Sequence, residues 1–207
     1  MHPEALTKEA AQLLPKLKQF DAFYLAGGTA LALQIGHRIS VDFDLFCQDD
    51  ISKELLAEVK RIFPEFKGKI SPIINNPEEL SALIGEVKVT FLKYPFPILN
   101  SFVDWDGLKM LDVLELSATK AYTIGRRGSF KDYVDLFFVL SENYANLDQI
   151  MGLAEKKYGN EFNSRLFLEQ LVYLDDVEET SILFLKKPVD KKQIEEFLVE
   201  EVKTIEF

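Results

Sequence analysis

The chain predicts an α+β fold: a small mixed sheet with helices in its first half and a helical C-terminal part after it. Three observations carry the prediction. Short apolar runs bounded by turn residues occupy residues 22–94. From Val113 onward the apolar residues recur at helical spacing. Between the first strand and a short helix stands the turn Gly27-Gly28-Thr29. With 207 residues the chain can bury a good core and fits one or two domains. The predicted division is 1–110 for the mixed part and 111–207 for the helical part. No internal repeat or low-complexity segment is present.

Leu6, Ala10, Leu13, Leu14 and Leu17 give an amphipathic first helix despite Pro15. Ala22 to Ala26 is the first strand, Ala30 to Gln34 the short helix with Thr29 as its N-cap, and Val41 to Phe46 the second strand. Ser52 caps a helix to about Phe63. Lys69 to Ile74 and Leu80 to Ile84 read as strands. A Gly85-Glu86 turn then leads into the alternating strand Val87 to Tyr94, which Pro95 and Pro97 end. Leu108 to Leu111 is short and extended. Asp112 caps a helix to Gly125, and Ser129 caps Phe130 to Ser141. Leu147 to Tyr158, Glu161 to Leu174 and Lys191 to Val202 complete the helical part.

Composition excludes several classes. A single cysteine, Cys47, leaves no internal disulfide and no cysteine-rich zinc site. The opening residues Met1 to Lys8 do not form a signal peptide, and the longest uncharged run, Phe23 to Gly36, is too short to span a bilayer. A cytoplasmic protein without a membrane partner is expected. A net charge of −10 disfavours generic binding to nucleic acid, which needs lysine and arginine to neutralise phosphate. The charge is uneven. Residues 1–140 carry 19 acidic and 16 basic side chains, residues 141–207 carry 15 and 8. The first part also holds a basic cluster of Lys120, Arg126, Arg127 and Lys131, suited to a nucleotide or an RNA end rather than a long duplex.

The chemistry concentrates in residues 25–46. A turn of backbone N–H groups at a helix start suits a phosphate. Asp42 and Asp44, two apart in an apolar strand, share a face about 6.6 Å apart, while Phe43 and Leu45 point into the core. Two such carboxylates suit Mg²⁺, which takes oxygen ligands and usually only one or two from carboxylates. The competing reading is an exposed strand end. Likewise, Gly27-Gly28 can serve backbone conformation alone. Their joint occurrence points to a nucleoside triphosphate with its metal. Arg38 can pair with Asp42 or Asp44 or contact a phosphate, and His37 reads as a structural hydrogen-bonding residue. Further on, Lys120, Thr123 and Arg127 share a helix face, and Asp132 and Asp135 share one at the start of the next helix. Asp135 lies among apolar residues and needs a cationic partner from Arg126, Arg127 or Lys120. The helical aromatics Tyr122, Phe137 and Phe138 read as core.

In order, the chain carries Gly27-Gly28-Thr29, then Gly36-His37-Arg38 with Ser40, Asp42, Asp44 and Phe46. Lys88 to Pro95 follows, then Lys120, Arg127, Lys131, Asp132 and Asp135, and lastly Leu171 to Glu178. This succession resembles the AbiEii/AbiGii toxin family of nucleotidyltransferases over nearly the whole chain. The resemblance implies a polymerase-beta-like nucleotidyltransferase core and a helical C-terminal part that contributes Lys120 and Asp132 to the site. It implies a toxin of a type IV toxin–antitoxin or phage-defence pair, with a cognate antitoxin as partner. It further implies transfer of a nucleoside monophosphate from a nucleoside triphosphate, with Mg²⁺ (or Mn²⁺), to a hydroxyl of RNA such as tRNA or of protein. Carried over, Asp42 and Asp44 would hold metal. Gly27, Gly28 and Thr29, with Arg38, Arg127 and Lys131, would bind nucleotide. Lys120 would contact phosphate, and Asp132 would complete the catalytic set with Asp135 as its structural partner.

One departure stands out. Many polymerase-beta-type enzymes bring a third carboxylate from a later strand, and here that position holds Lys88 or Thr90, with Glu86 two residues early. The alternative function is therefore a catalytically silent nucleotide-binding or partner-binding module. An acidic helical part that docks a basic antitoxin is compatible with either.

Overall fold

The computed structural model describes residues 1–205; the predicted helical part ends at 207, so its last two positions lie outside the described residues. A seven-stranded mixed sheet runs in the order β3-β4-β5-β2-β1-β7-β6. Its strands are β1 (Tyr24–Ala26), β2 (Phe43–Cys47), β3 (Ile70–Asn75), β4 (Glu79–Ile84), β5 (Val87–Lys93), β6 (Val103–Trp105) and β7 (Leu108–Met110). The helices are α1 (Lys8–Leu17), α2 (Gly27–Ile35), α3 (Leu55–Ile62), α4 (Val113–Arg127), α5 (Phe130–Ser141), α6 (Leu147–Tyr158), α7 (Ser164–Leu171) and α8 (Lys191–Lys203). The α+β class and the order of its parts are those predicted. No helix among the described residues is long and apolar enough to cross a membrane.

Period-two alternation sets the sheet's two faces. Phe43, Leu45, Val89 and Phe91 are buried on one of them. Phe20, which follows α1, packs edge-on against Phe91 at 4.8 Å and beside Phe63, just after α3, at 6.3 Å. The residues between these, Asp44, Phe46, Thr90 and Leu92, line a cavity together with α4 residues, so they form the functional face. One hydrophobic cluster continues from Leu6 to Leu198 through sheet and helices alike.

Buried charge fixes α4. Asp112 caps it by accepting from the Glu115 N–H at 2.7 Å. The fully buried Glu115 carboxylate accepts from the N–H groups of Leu99 and Asn100 at 3.1 and 3.0 Å and pairs with Lys157 of α6 at 2.6 Å. Lys157 also donates to the Pro97 carbonyl at 2.6 Å. With every polar atom of the pair engaged, removing one partner would strand the other in the core.

Several element bounds differ from the sequence reading. β6 escaped it, although Asp106 and Gly107 both have positive φ (52° and 86°) and join Trp105 to Leu108 in the two-residue hairpin that an Asp-Gly pair favours. Thr29 is not an N-cap: α2 begins at Gly27, and Thr29 lies buried inside its first turn. The Ser52 hydroxyl accepts from the Glu54 N–H, closing a turn before α3 starts at Leu55. α4 continues past Gly125 to Arg127, and α7 is confined to Ser164–Leu171, capped by Asn163.

Candidate active site

β1 and β2 run antiparallel, with Ala26 opposite Asp44, so the turn after β1 lies against the Asp44 side chain. Gly27 has φ +64°, and a Cβ there would stand 2.4 Å from Asp44 Oδ2; both facts require glycine. At Gly28 the constraint is space alone, since a Cβ would meet the Arg38 Nη2 at 2.4 Å. Asp42 lies one residue before β2 rather than within it. Its approach is tied down by Thr29, whose hydroxyl donates to the Asp42 carbonyl and accepts from the Ser40 hydroxyl at 2.7 Å. Among the described residues, neither the Asp42 nor the Asp44 carboxylate has a hydrogen-bond or ion-pair partner. Burial pushes the Asp44 carboxyl above its usual range; Lys120 pulls it down and Asp42 adds to the rise.

Behind this pair lies a closed network centred on Asp135, which is fully buried in α5. Arg38, 3% exposed, grips it with Nε on Oδ1 at 2.7 Å and Nη2 on Oδ2 at 3.0 Å. His37 Nε2 lies 2.6 Å from Oδ1, and Lys120 Nζ 2.6 Å from Oδ2. Lys120 also donates to Asp132 at 2.7 Å, and Asp132 closes a capping box with Ser129 at the start of α5. Burial alone would raise the Asp135 carboxyl, but Arg38, Lys120 and the His37 bond outweigh it and hold it well below the usual range. Burial works against the Lys120 ammonium in the same way, and Asp135 and Asp132 outweigh it, so its pKa is raised. For His37 burial prevails and lowers the pKa. The neutral ring donates from Nε2 to the ionised Asp135, while the buried Nδ1 has no partner among the described residues.

Between the functional face of the sheet and α4 lies a cavity of about 400 Å³. Its floor is read from the register. Asp44 stands beside Thr90 of β5, and Thr90 beside Ser81 of β4. One rung further, Phe46 stands beside Leu92, and Leu92 beside Glu79. Lys88 precedes Thr90 on the same face. The roof is Leu116, Thr119, Lys120, Thr123 and Arg127 of α4, with Asp132 and the Gly27-Gly28 turn at the edge. One end is thus charged, with carboxylates facing Lys88, Lys120 and Arg127, and the other is mainly apolar.

A strand–Gly-Gly–helix turn against a half-buried Asp-x-Asp, closed over by a lysine helix, fits the nucleotidyltransferase core that the sequence resemblance implies, and sequence comparison agrees. The family model for the nucleotidyl transferase AbiEii toxin of type IV toxin–antitoxin systems matches residues 11–96. The uncharacterized protein aq_aa25 of Aquifex aeolicus (strain VF5) is 30% identical over 174 residues, 83% of either chain. The chain belongs to the AbiEii family of nucleotidyltransferase toxins. The fold of this AbiEii protein is similar to that of MenT4, a nucleotidyltransferase toxin from Mycobacterium tuberculosis H37Rv. That likeness has a TM-score of 0.63 at 18% identity and covers 96% of this chain and 83% of the other. JHP933 from Helicobacter pylori gives a TM-score of 0.51 at 15% identity over 96% and 95% of the two chains.

The AbiEii chain gathers most of its sequence-predicted site residues around one cavity, with two corrections. Arg38 pairs with neither Asp42 nor Asp44: Asp135, a stronger two-pronged partner, holds its guanidinium. For the same reason the partners of Asp135 are Arg38, His37 and Lys120, and not Arg126 or Arg127. Arg126 lies instead over the Tyr122 ring at 3.6 Å and donates to the Glu161 carbonyl. Gly27, Gly28, Asp44, Lys120, Arg127 and Asp132 line the cavity between the sheet and α4. Thr29, Arg38, Asp42 and Lys131 border a smaller recess of about 130 Å³ beside it, which shares Gly28, Asp44, Lys120 and Asp132. Thr90 occupies the place beside Asp44 where a third carboxylate was expected, and Glu86 lies in the β4–β5 turn. The sequence reading missed Glu79. Counting back from the Gly85-Glu86 turn pairs it with Leu92 and would have found it.

Proposed function

We propose that this nucleotidyltransferase moves a nucleoside monophosphate from a nucleoside triphosphate to a hydroxyl of RNA such as tRNA, or of protein. In this reading it acts in the cytoplasm as the toxin of a type IV toxin–antitoxin or phage-defence pair, opposed by a cognate antitoxin. The observation that carries it is a pair of carboxylates without partners among the described residues: Asp44 at the charged end of a cavity that also presents Lys88, Lys120 and Arg127, and Asp42 on the recess beside it.

Asp42 and Asp44 would hold a divalent cation such as Mg²⁺ or Mn²⁺. The donor set fits: two carboxylate oxygens without other partners, in a site where Mg²⁺ takes its remaining ligands from phosphate and water. No group of three acidic, histidine or cysteine side chains suited to a metal occurs among the described residues. The metal, when bound, would neutralise charge building on the phosphoryl oxygens. The Gly27-Gly28 turn and the start of α2 receive the triphosphate on backbone N–H groups, with Thr29 fixing the turn from inside. Lys120, Arg127 and Lys131 supply positive charge from the helical part, 111–207, which completes the site. Lys120 stays protonated because Asp135 and Asp132 hold it so, and Asp132 orients it. The acceptor oxygen bonds to the α-phosphorus as the bond to the β-phosphate oxygen breaks, releasing pyrophosphate. With Thr90 in place of a carboxylate, the acceptor's proton passes to solvent water.

The test is incubation with Mg²⁺, each labelled nucleoside triphosphate in turn, and total tRNA, beside Asp42→Ala. Label in RNA or in the protein from the wild type alone supports the proposal. Labelling that persists in the variant removes these carboxylates from the mechanism. Metal-dependent nucleotide binding without transfer marks a silent binding module.

A further inference from the structure

The apolar end of the cavity has a definite construction. Its floor is Phe46 and Leu92, its roof Leu116 and Thr119. The wall is braced from behind: Phe46 stacks on Tyr94 at 4.6 Å, Tyr94 and Tyr158 share a hydrogen bond of 2.7 Å, and the Tyr158 hydroxyl donates to Thr119 at 3.2 Å. A mainly apolar slot next to the charged end suits a nucleobase, whose faces are apolar and whose edge is polar. Among the described residues lining this end, Glu79 is the one charged group.

Glu79 stands apart from the Asp-x-Asp pair. It belongs to the Phe46–Leu92 rung, one beyond the rung of Asp44, and on the second strand away from β2. Its Oε1 accepts from the Ser81 hydroxyl at 2.5 Å, and Ser81 in turn lies 3.2 Å from the Thr90 hydroxyl. That chain anchors one oxygen and leaves Oε2 without a partner among the described residues.

We propose that Glu79 reads the edge of the nucleobase and selects bases that carry an amino group over uracil. The inference rests on the nucleotide-pocket reading above. An ionised carboxylate only accepts hydrogen bonds. Cytosine and adenine offer it the two N–H donors of an exocyclic amine, and guanine offers its own amine. Uracil presents a lone ring N–H between two carbonyl oxygens, which a carboxylate repels. Specificity of this kind comes from the mismatched partner as much as from the matched one.

The experiment measures binding of ATP, CTP, GTP, UTP and inorganic tripolyphosphate to the full chain with Mg²⁺, for the wild type, Glu79→Gln and Glu79→Ala. The wild type is expected to bind UTP roughly tenfold more weakly than the best of the other three. Glu79→Gln has the same shape but can donate to a uracil carbonyl, so it narrows that gap to about threefold or less by gaining UTP affinity. Glu79→Ala also narrows it, by losing affinity for the preferred base, and tripolyphosphate binding stays unchanged in both. Absence of discrimination against UTP in the wild type overturns the proposal. So does an equal loss for all four nucleotides in the variants, which would place Glu79 at the phosphates. Failure of every nucleotide and of tripolyphosphate to bind the wild type would instead sink the nucleotide-pocket reading, and this proposal with it.

Discussion

Arg38 and Asp135 meet in a two-pronged ion pair, 2.7 and 3.0 Å, inside the protein and 97 residues apart in sequence. The pair ties the segment between α2 and β2 to α5. It also has a consequence for the charged end of the cavity. A guanidinium so close to the Asp-x-Asp pair would neutralise it if free, and Asp135 removes it from that competition. The two carboxylates are left open to an external cation.

Asp135→Asn is expected to lower stability by about 3–5 kcal/mol, because it leaves Arg38 and Lys120 buried with uncompensated charge. Asp132→Asn, at a partly exposed cap, is expected to cost about 1 kcal/mol. Urea unfolding of both variants checks the contrast; equal effects would mean that the network does not bear on stability as described.

Asp44→Asn should separate function from stability. Burial raises the Asp44 pKa, so its ionised form is disfavoured in the fold and opposes folding near neutral pH. In the presence of a chelator the variant should melt at or slightly above the wild-type temperature while losing nucleotide transfer, as stabilising changes at strained sites commonly do. A clear drop in Tm would contradict the unpartnered state of this carboxylate.

Gly27→Ala places a side chain on a backbone with φ +64° and against Asp44 Oδ2. The left-handed conformation costs about 1–2 kcal/mol, and relief of the clash must move the carboxylate. Transfer should therefore fall much further than the stability loss accounts for. Circular dichroism together with single-turnover labelling would reveal the difference.

His37 gives a pH dependence with a definite sign. Its folded pKa is lowered, so the unfolded chain binds the proton more readily. The stability it contributes is present in full above the unfolded value of about 6.5 and is lost as pH falls from there through the lower folded value. The groups facing it are Asp135, Arg38 and Lys120, with the Phe138 ring at 5.4 Å. Asp135 itself titrates well below its ordinary range and adds no slope in that window. His37→Gln keeps an N–H for Asp135 and removes the titration. Its unfolding free energy should vary less between pH 6.5 and 5 than the wild type's, and identical slopes would exclude His37 as the source.

Local signals in the sequence were sufficient for much of this. Strands β2, β4 and β5 follow from alternation, α4 and α5 from capping residues and helical spacing, and the α+β order from their succession. The Asp-Gly pair at 106–107 signals the β6–β7 hairpin as well, although the sequence reading passed over β6. The proposed roles of Asp42, Asp44, Lys120 and Asp132 begin from the same local patterns, since an Asp-x-Asp strand end and a lysine on a helix face are visible without a fold.

The sequence by itself determined the class of fold, the order of its elements and the residues able to carry the chemistry, because propensity, capping and periodicity act within a few residues. The tertiary structure alone decided the pairings: that Arg38 and His37 answer to Asp135, that Lys120 bridges Asp132 and Asp135, that Thr29 turns inward, and that Glu79 reaches the cavity from two strands away. Buried charges choose partners by proximity in space and by how completely each is desolvated. Neither quantity exists until the sheet and α4 have packed together.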